Sequence, residues 1–171
     1  MIISVTTSVG QNNVNFKKTD SVLLDVERKV LMVVNQYRSS KNLGELSWSK
    51  DLYLAASHHS FYMSNIAGIS HEETEDISNF TEIQHLNDRV MNYSSTGYFS
   101  ISELVSCNFN NKNLSTEKGR LDLANNIVLT WISSKPHNES LINPKFTTFA
   151  ASVYFSNDFG VTIKSTLVLR Q

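Results

Sequence analysis

Three side chains in this sequence stand where their surroundings give them something to do chemically. His137 falls between the only two prolines, Pro136 and Pro144. Pro136 cannot extend the helical pattern that arrives at Trp131, but its fixed φ suits the first turn of a new helix, which Pro144 then closes. His137 therefore sits at a sharply defined corner, either as an incidental residue of a capped surface helix or as part of a site. Glu103 lies in an alternating run from Phe99 to Phe109, in phase with Ile101, Val105, Cys107 and Phe109. A carboxylate on that face must pair with a cation, stay neutral or bind a metal, because desolvating an unpaired charge is expensive. His71 follows a helix expected to end at Gly68, and it opens the acidic run Glu72, Glu73, Glu75 and Asp76, which reads as a solvated loop.

Other reactive types carry less. His59 points inward on its helix, as a core histidine with a hydrogen-bonded ring or as a ligand, while His58 lies about 100° away toward the solvent edge. The one cysteine, Cys107, excludes an internal disulfide. No motif marks Cys107, Ser60 or Ser134 as a nucleophile. The metalloprotease pattern His-Glu-x-x-His is absent, and His71-Glu72-Glu73 does not supply it.

The elements that must position these residues are legible from periodicity. Leu23, Val26, Val30, Val33, Val34 and Tyr37 form one stripe of a long amphipathic helix, capped by Asp20 or Ser21 and ending near Lys41, where Asn42 and Gly44 offer the left-handed conformation. Leu46-Ser47-Trp48 is a short extended link. Ser49 caps a second helix with Leu52, Ala55, Ala56, His59, Met63 and Ile66 on its apolar face. Asn79-Phe80-Thr81-Glu82 fits a capping-box variant that starts a short helix reaching about Met91, with His85 and Arg89 off its stripe. Thr116 to Ser134 is helical again, and Phe146 to Ser156, a turn at Asn157 to Gly160, and Val161 to Leu169 form a closing hairpin.

At 171 residues, 40% hydrophobic and 18% charged, the chain is expected to form a single domain over residues 20–171 behind an N-terminal tail, residues 1–19. A formal net charge of -1 gives no electrostatic reason to expect nucleic acid as a partner. No run approaches the roughly 20 apolar residues of a transmembrane helix. Met1 to Gly10 resembles the last part of an export signal, with small residues at Ser8-Val9-Gly10. Helices followed by strands, one further helix and a hairpin point to an α+β domain with helices covering an antiparallel sheet.

Taken in order, several segments resemble the CAP superfamily of cysteine-rich secretory proteins, venom antigens and pathogenesis-related proteins, and among them the bacterial SCP-like branch. They are Val34-Asn35-Gln36-Tyr37-Arg38, Leu46-Ser47-Trp48, Ala56 to Met63, Ser70-His71, Asp88-Arg89, Ser102-Glu103-Leu104, and Trp131 to Pro144. The resemblance implies a three-layer α/β/α sandwich (CAP fold) with a central antiparallel sheet. It also implies a cleft with two histidines and two glutamates able to hold a divalent metal in some members. His71 matches the first histidine, Glu103 the glutamate of the Gly-Glu-Asn motif, and His137 the histidine of the bacterial Ser-Pro-Gly-His-Arg segment. Ser134 stands near the place of the remaining glutamate, and Ser102, Leu104, Pro136 and Asn138 also depart from the motifs.

The expectation is accordingly a secreted or cell-envelope protein that binds a small hydrophobic ligand, a peptide or a glycan in its cleft. His71, Glu103 and His137 are the candidate metal residues, since two imidazoles and a carboxylate can hold zinc or another divalent cation with a position left open. A hydrogen-bonded cluster of the same three residues is the metal-free alternative. The competing function is a zinc-dependent hydrolase on those residues, for which Glu72 or Glu73 is the nearest acid able to activate water.

Overall fold

The structure is a computed structural model that describes residues 20–77, 80–95, 100–156 and 161–171. The expected export-signal remnant, the start of the capping box at Asn79, Phe99 and the hairpin turn at 157–160 lie outside the described residues. The first helix, α1 (Ser21–Ser40), is capped by the Asp20 carboxylate, which accepts the backbone N–H groups of Val22 and Leu23 at 2.9 and 3.3 Å. It buries Leu23, Val26, Val30 and Val34, the expected stripe, and beyond it Asn42 takes the left-handed φ of 57°.

A two-residue strand, β1 (Ser47–Trp48), leads into α2 (Lys50–Ser64), and after a long loop come α3 (Leu86–Tyr93) and β2 (Ile101–Phe109). Then follow α4 (Glu117–Ser133), the short α5 (Lys135–Leu141) with Pro136 in its first turn, β3 (Thr148–Ser156) and β4 (Thr162–Arg170). The sheet order is β1-β3-β4-β2. β2 and β3 both flank β4 in antiparallel register, and β1 adds a parallel edge of two residues to β3. The sheet is thus antiparallel except at that edge.

Helices α1 and α4 pack on one face of the sheet through Val30, Val34, Leu104, Ile127, Trp131, Phe149 and Leu167. On the other face α2 and α3 pack through Leu52, Ala56, Val90, Ala150 and Val168, and farther along through Tyr62, Met63, Phe80 and Val105. Each large side chain buried in these clusters contributes about 1.5–3 kcal/mol of transfer free energy. The result is the expected layered α+β arrangement, helices on both faces of a four-stranded sheet.

Three local readings of the sequence are corrected. α2 ends at Ser64, not at Gly68, and Gly68 takes a positive φ of 76° in the turn beyond it. The short helix begins at Leu86, since residues 81–84 run without helical structure and the carbonyls of Ile83 and Gln84 are used elsewhere. In β2 the inward set does not alternate: Leu104 and Ser106 are buried as well as Glu103 and Val105, whereas Cys107 is exposed and Phe109 is 69% exposed. The reason is geometric, because helices cover both faces of the strand at its centre and neither covers its far end.

Candidate functional site

Glu103 projects from the middle of β2 toward the α2 side of the sheet and is nearly fully buried. One turn from the C-terminus of α3, Arg89 reaches it from the other direction. The Arg89 guanidinium Nη2 donates to Glu103 Oε2 at 2.8 Å and Oε1 at 3.0 Å, and also to the His71 carbonyl at 3.0 Å. Its Nη1 donates to the carbonyls of Ile83 and Gln84, both at 3.1 Å, and lies 3.6 Å from Glu73 Oε1. Of its three nitrogens, Nε alone has no partner among the described residues.

Behind this pair lies a second buried carboxylate. Glu73 receives His58 Nε2 at 3.0 Å, His59 Nδ1 at 2.8 Å and the backbone N–H of Ile83 at 2.8 Å. The other nitrogen of His59 bonds the Ser70 carbonyl at 2.7 Å and stands 3.7 Å from Glu103 Oε1. Both ring nitrogens of His59 thus face acceptors, so both donate and the ring adds a positive charge to the cluster. His58 uses its remaining nitrogen against the Tyr93 hydroxyl at 2.8 Å. Two carboxylates, one guanidinium and two imidazoles are shut from solvent together, an arrangement that is stable only because nearly every polar atom is paired.

Burial alone would push the Glu73 carboxyl up, but the bonds from His58 and His59 outweigh it and hold the group down at about 2. Glu103 is lowered by the same contest, burial opposed by the His59 charge, the His71 bond and Arg89.

The mouth of the site is made by the other two histidines. His71, whose side chain is 53% exposed, places Nδ1 3.1 Å from Glu103 Oε1, and that bond raises its pKa against the opposing effect of burial. His137, half-buried in the first turn of α5, faces it with ring centroids 6.2 Å apart at 67°. Burial first, and the neighbouring His71 second, lower the His137 pKa. On α5 as well, the Ser140 hydroxyl lies 2.8 Å from that of Ser102, which ties the helix to the strand that carries Glu103. His71, Glu103 and His137 are therefore brought together.

A divalent ion fits this donor set poorly. Both Glu103 oxygens already accept from Arg89, and among the described residues no three His, Cys, Asp or Glu side chains are grouped so as to hold a metal. A dication bound to Glu103 would stand within ~5 Å of the guanidinium, a repulsion on the order of 7 kcal/mol at an effective dielectric near 20.

Three members of the cluster do not have the roles that the sequence suggests for them, whereas His59 is the buried, hydrogen-bonded core histidine that is one of its two readings. His58 is fully buried, not at a solvent edge, because the loop after α2 and the helix α3 cover that side of α2. Glu73 is buried inside what reads as a solvated acidic run, and Arg89, off its helical stripe, is wholly enclosed. The usable signal is charge on non-stripe positions beside a buried Glu103. A buried carboxylate predicts a buried cation, and Arg89 is the nearest arginine or lysine before Glu103 in sequence.

The sequence model of the cysteine-rich secretory protein family, CAP, matches residues 31–168. An extracellular SCP-domain protein from Bacillus anthracis superposes with a TM-score of 0.60 at 21% identity, over 85% of this chain and 40% of that one. An outer surface protein from Borrelia burgdorferi gives 0.61 at 17% identity, over 86% of this chain and 94% of that one. A cysteine-rich secretory protein from Staphylococcus aureus gives 0.59 at 18% identity, over 90% of this chain and 41% of that one. The chain thus spans about two fifths of the Bacillus and Staphylococcus proteins. No curated protein matches the sequence significantly.

Proposed function

The chain belongs to the cysteine-rich secretory protein (CAP) family, and from that premise we propose that it is an exported binding module whose cleft, between His71 and His137, takes a peptide or a glycan. Export is supported by the likeness to proteins described as extracellular and outer surface, and no helix among the described residues is long and apolar enough to cross a membrane. The observation that carries the binding reading is the division of labour in the site. The outer part consists of the half-exposed His71 and the half-buried His137, whereas the carboxylates behind them are buried and paired.

These imidazoles can donate to or accept from amide and hydroxyl groups. Hydrolysis would need an acid or base free to activate water. Glu73 is committed to His58, His59 and Ile83, and Glu72 is bonded to His85 at 2.6 Å. The zinc-hydrolase alternative therefore has less to draw on.

The test is binding of the purified protein to peptide and glycan arrays, with native mass spectrometry for small hydrophobic ligands carried through purification. Retained ligands should be lost in His71→Ala and in His137→Ala, with the circular dichroism unchanged. Binding that survives both substitutions would move the functional surface elsewhere.

A further inference from the structure

We infer that Arg89 is the resident cation of this cleft, held where a metal ion would otherwise balance Glu103, and that it makes the cleft independent of divalent metal. The guanidinium meets Glu103 through one nitrogen that contacts both carboxylate oxygens, at 2.8 and 3.0 Å. It is not a rim group that could swing aside. It is fully buried, and four further contacts fix it: the carbonyls of His71, Ile83 and Gln84, and Glu73 at 3.6 Å.

The three carbonyls it bridges belong to the two arms of the loop between α2 and α3, so its removal would release the segment that carries His71. A second positive group, His59, stands 3.7 Å from the same Glu103 oxygen that accepts from His71. Glu103 is thus charge-balanced from inside the protein. An arriving dication would need to displace a guanidinium engaged by five oxygen atoms at hydrogen-bonding distance, or else stand beside it.

Arg89 is accordingly a specificity-determining residue. By neutralising Glu103 it leaves that carboxylate only the task of orienting His71 through Nδ1, so that a ligand would meet His71 through its other imidazole nitrogen. The cleft then selects ligands by hydrogen bonding to the two histidines, not by coordination.

Titration with Co²⁺, followed by its visible absorption bands, and with Zn²⁺ by calorimetry tests this directly. In the protein as it stands, Glu103→Gln should change the affinity for either ion by less than threefold. Arg89→Gln should raise Co²⁺ affinity at least tenfold, and Arg89→Gln combined with Glu103→Gln should abolish the gain, while Arg89→Lys, which keeps the charge, should show none. A wild-type affinity that falls tenfold or more in Glu103→Gln overturns the inference. So does a folded Arg89→Gln protein with no gain. Should Arg89→Gln fail to fold, the Glu103→Gln comparison in the otherwise native protein decides alone. Neither outcome depends on whether a peptide or a glycan is ever found.

Discussion

His71 and Glu103, 32 residues apart in sequence, are joined by a 3.1 Å bond between Nδ1 and Oε1, and the second histidine of the mouth, His137, has no carboxylate partner among the described residues. The two facing imidazoles therefore titrate in opposite directions from the ordinary histidine value, His71 upward through its Glu103 bond and His137 downward through burial. As pH falls, His71 protonates first. Ring-proton NMR titration should separate the two, and Glu103→Gln should bring His71 down while moving His137 little. A His71 curve that Glu103→Gln leaves unchanged would show that the bond does not set its protonation.

Stability should follow the same logic with the sign set by each shift. The His71 pKa is raised on folding, so its contribution is present below the ordinary value of 6.5 and fades as pH rises through the folded pKa. Because this side chain is half in solvent, the effect is small and screened by salt. His71→Ala should therefore flatten a shallow decline in the denaturation midpoint as pH rises above the ordinary histidine value of 6.5. A decline equally steep in the variant would assign it to another group.

Glu73 gives a larger effect of the opposite kind. Its pKa falls on folding from 4.5 to about 2, so its contribution is complete above 4.5 and is lost as pH drops toward 2. That interval corresponds to about 3 kcal/mol at 1.36 kcal/mol per unit. Glu73→Gln should cost on the order of 3 kcal/mol at neutral pH, since it leaves His59 charged and buried beside a neutral amide. The gap between the two proteins in urea melts should narrow below pH 4.5. Hydrogen exchange should also quicken at the Ile83 amide, which Glu73 receives.

How much of the molecule is legible in the sequence depends on whether a residue's partner is local. The stripes of α1 and α4, the Asp20 cap, the Pro136 start of α5 and the closing hairpin are all set by neighbours within a few positions, and periodicity finds them. Glu103 stands out as a buried acid because its strand phase alone places it inward. The identity of its partner does not, since Arg89 and Glu103 meet only when α3 is docked against the sheet, and Arg89 looks like a solvated residue on its own helix. His58 and Glu73 are hidden for the same reason. Each reads as outward on its own segment, and only the closure of the loop over α2 buries both. In β2 alternation misleads because a strand covered on both faces has no polar face to mark the phase.

Helix α4 supplies a last test, in which helix propensity and packing predict opposite signs. Gly119 lies in its first turn, where alanine would ordinarily favour the helix by about 1 kcal/mol. A methyl group at this position, however, would stand 2.0 Å from the Asn113 carbonyl oxygen and 2.7 Å from its carbon, both backbone atoms. That carbonyl receives the N–H and the hydroxyl of Thr116 at 3.2 and 2.9 Å, and Thr116 caps the helix by accepting the Gly119 N–H at 3.0 Å. The clash therefore cannot be relieved without moving the turn that starts the helix. Gly119→Ala should destabilise by about 1–3 kcal/mol, read as a lower urea midpoint with an unchanged slope. Gly44, where an added methyl group would meet nothing within 4 Å and φ is not positive, is the control, and Gly44→Ala should be neutral or stabilise by about 0.4–1 kcal/mol. Equal midpoints for the two variants would mean that the 113–116 turn yields freely, and that the cap does not hold the start of α4.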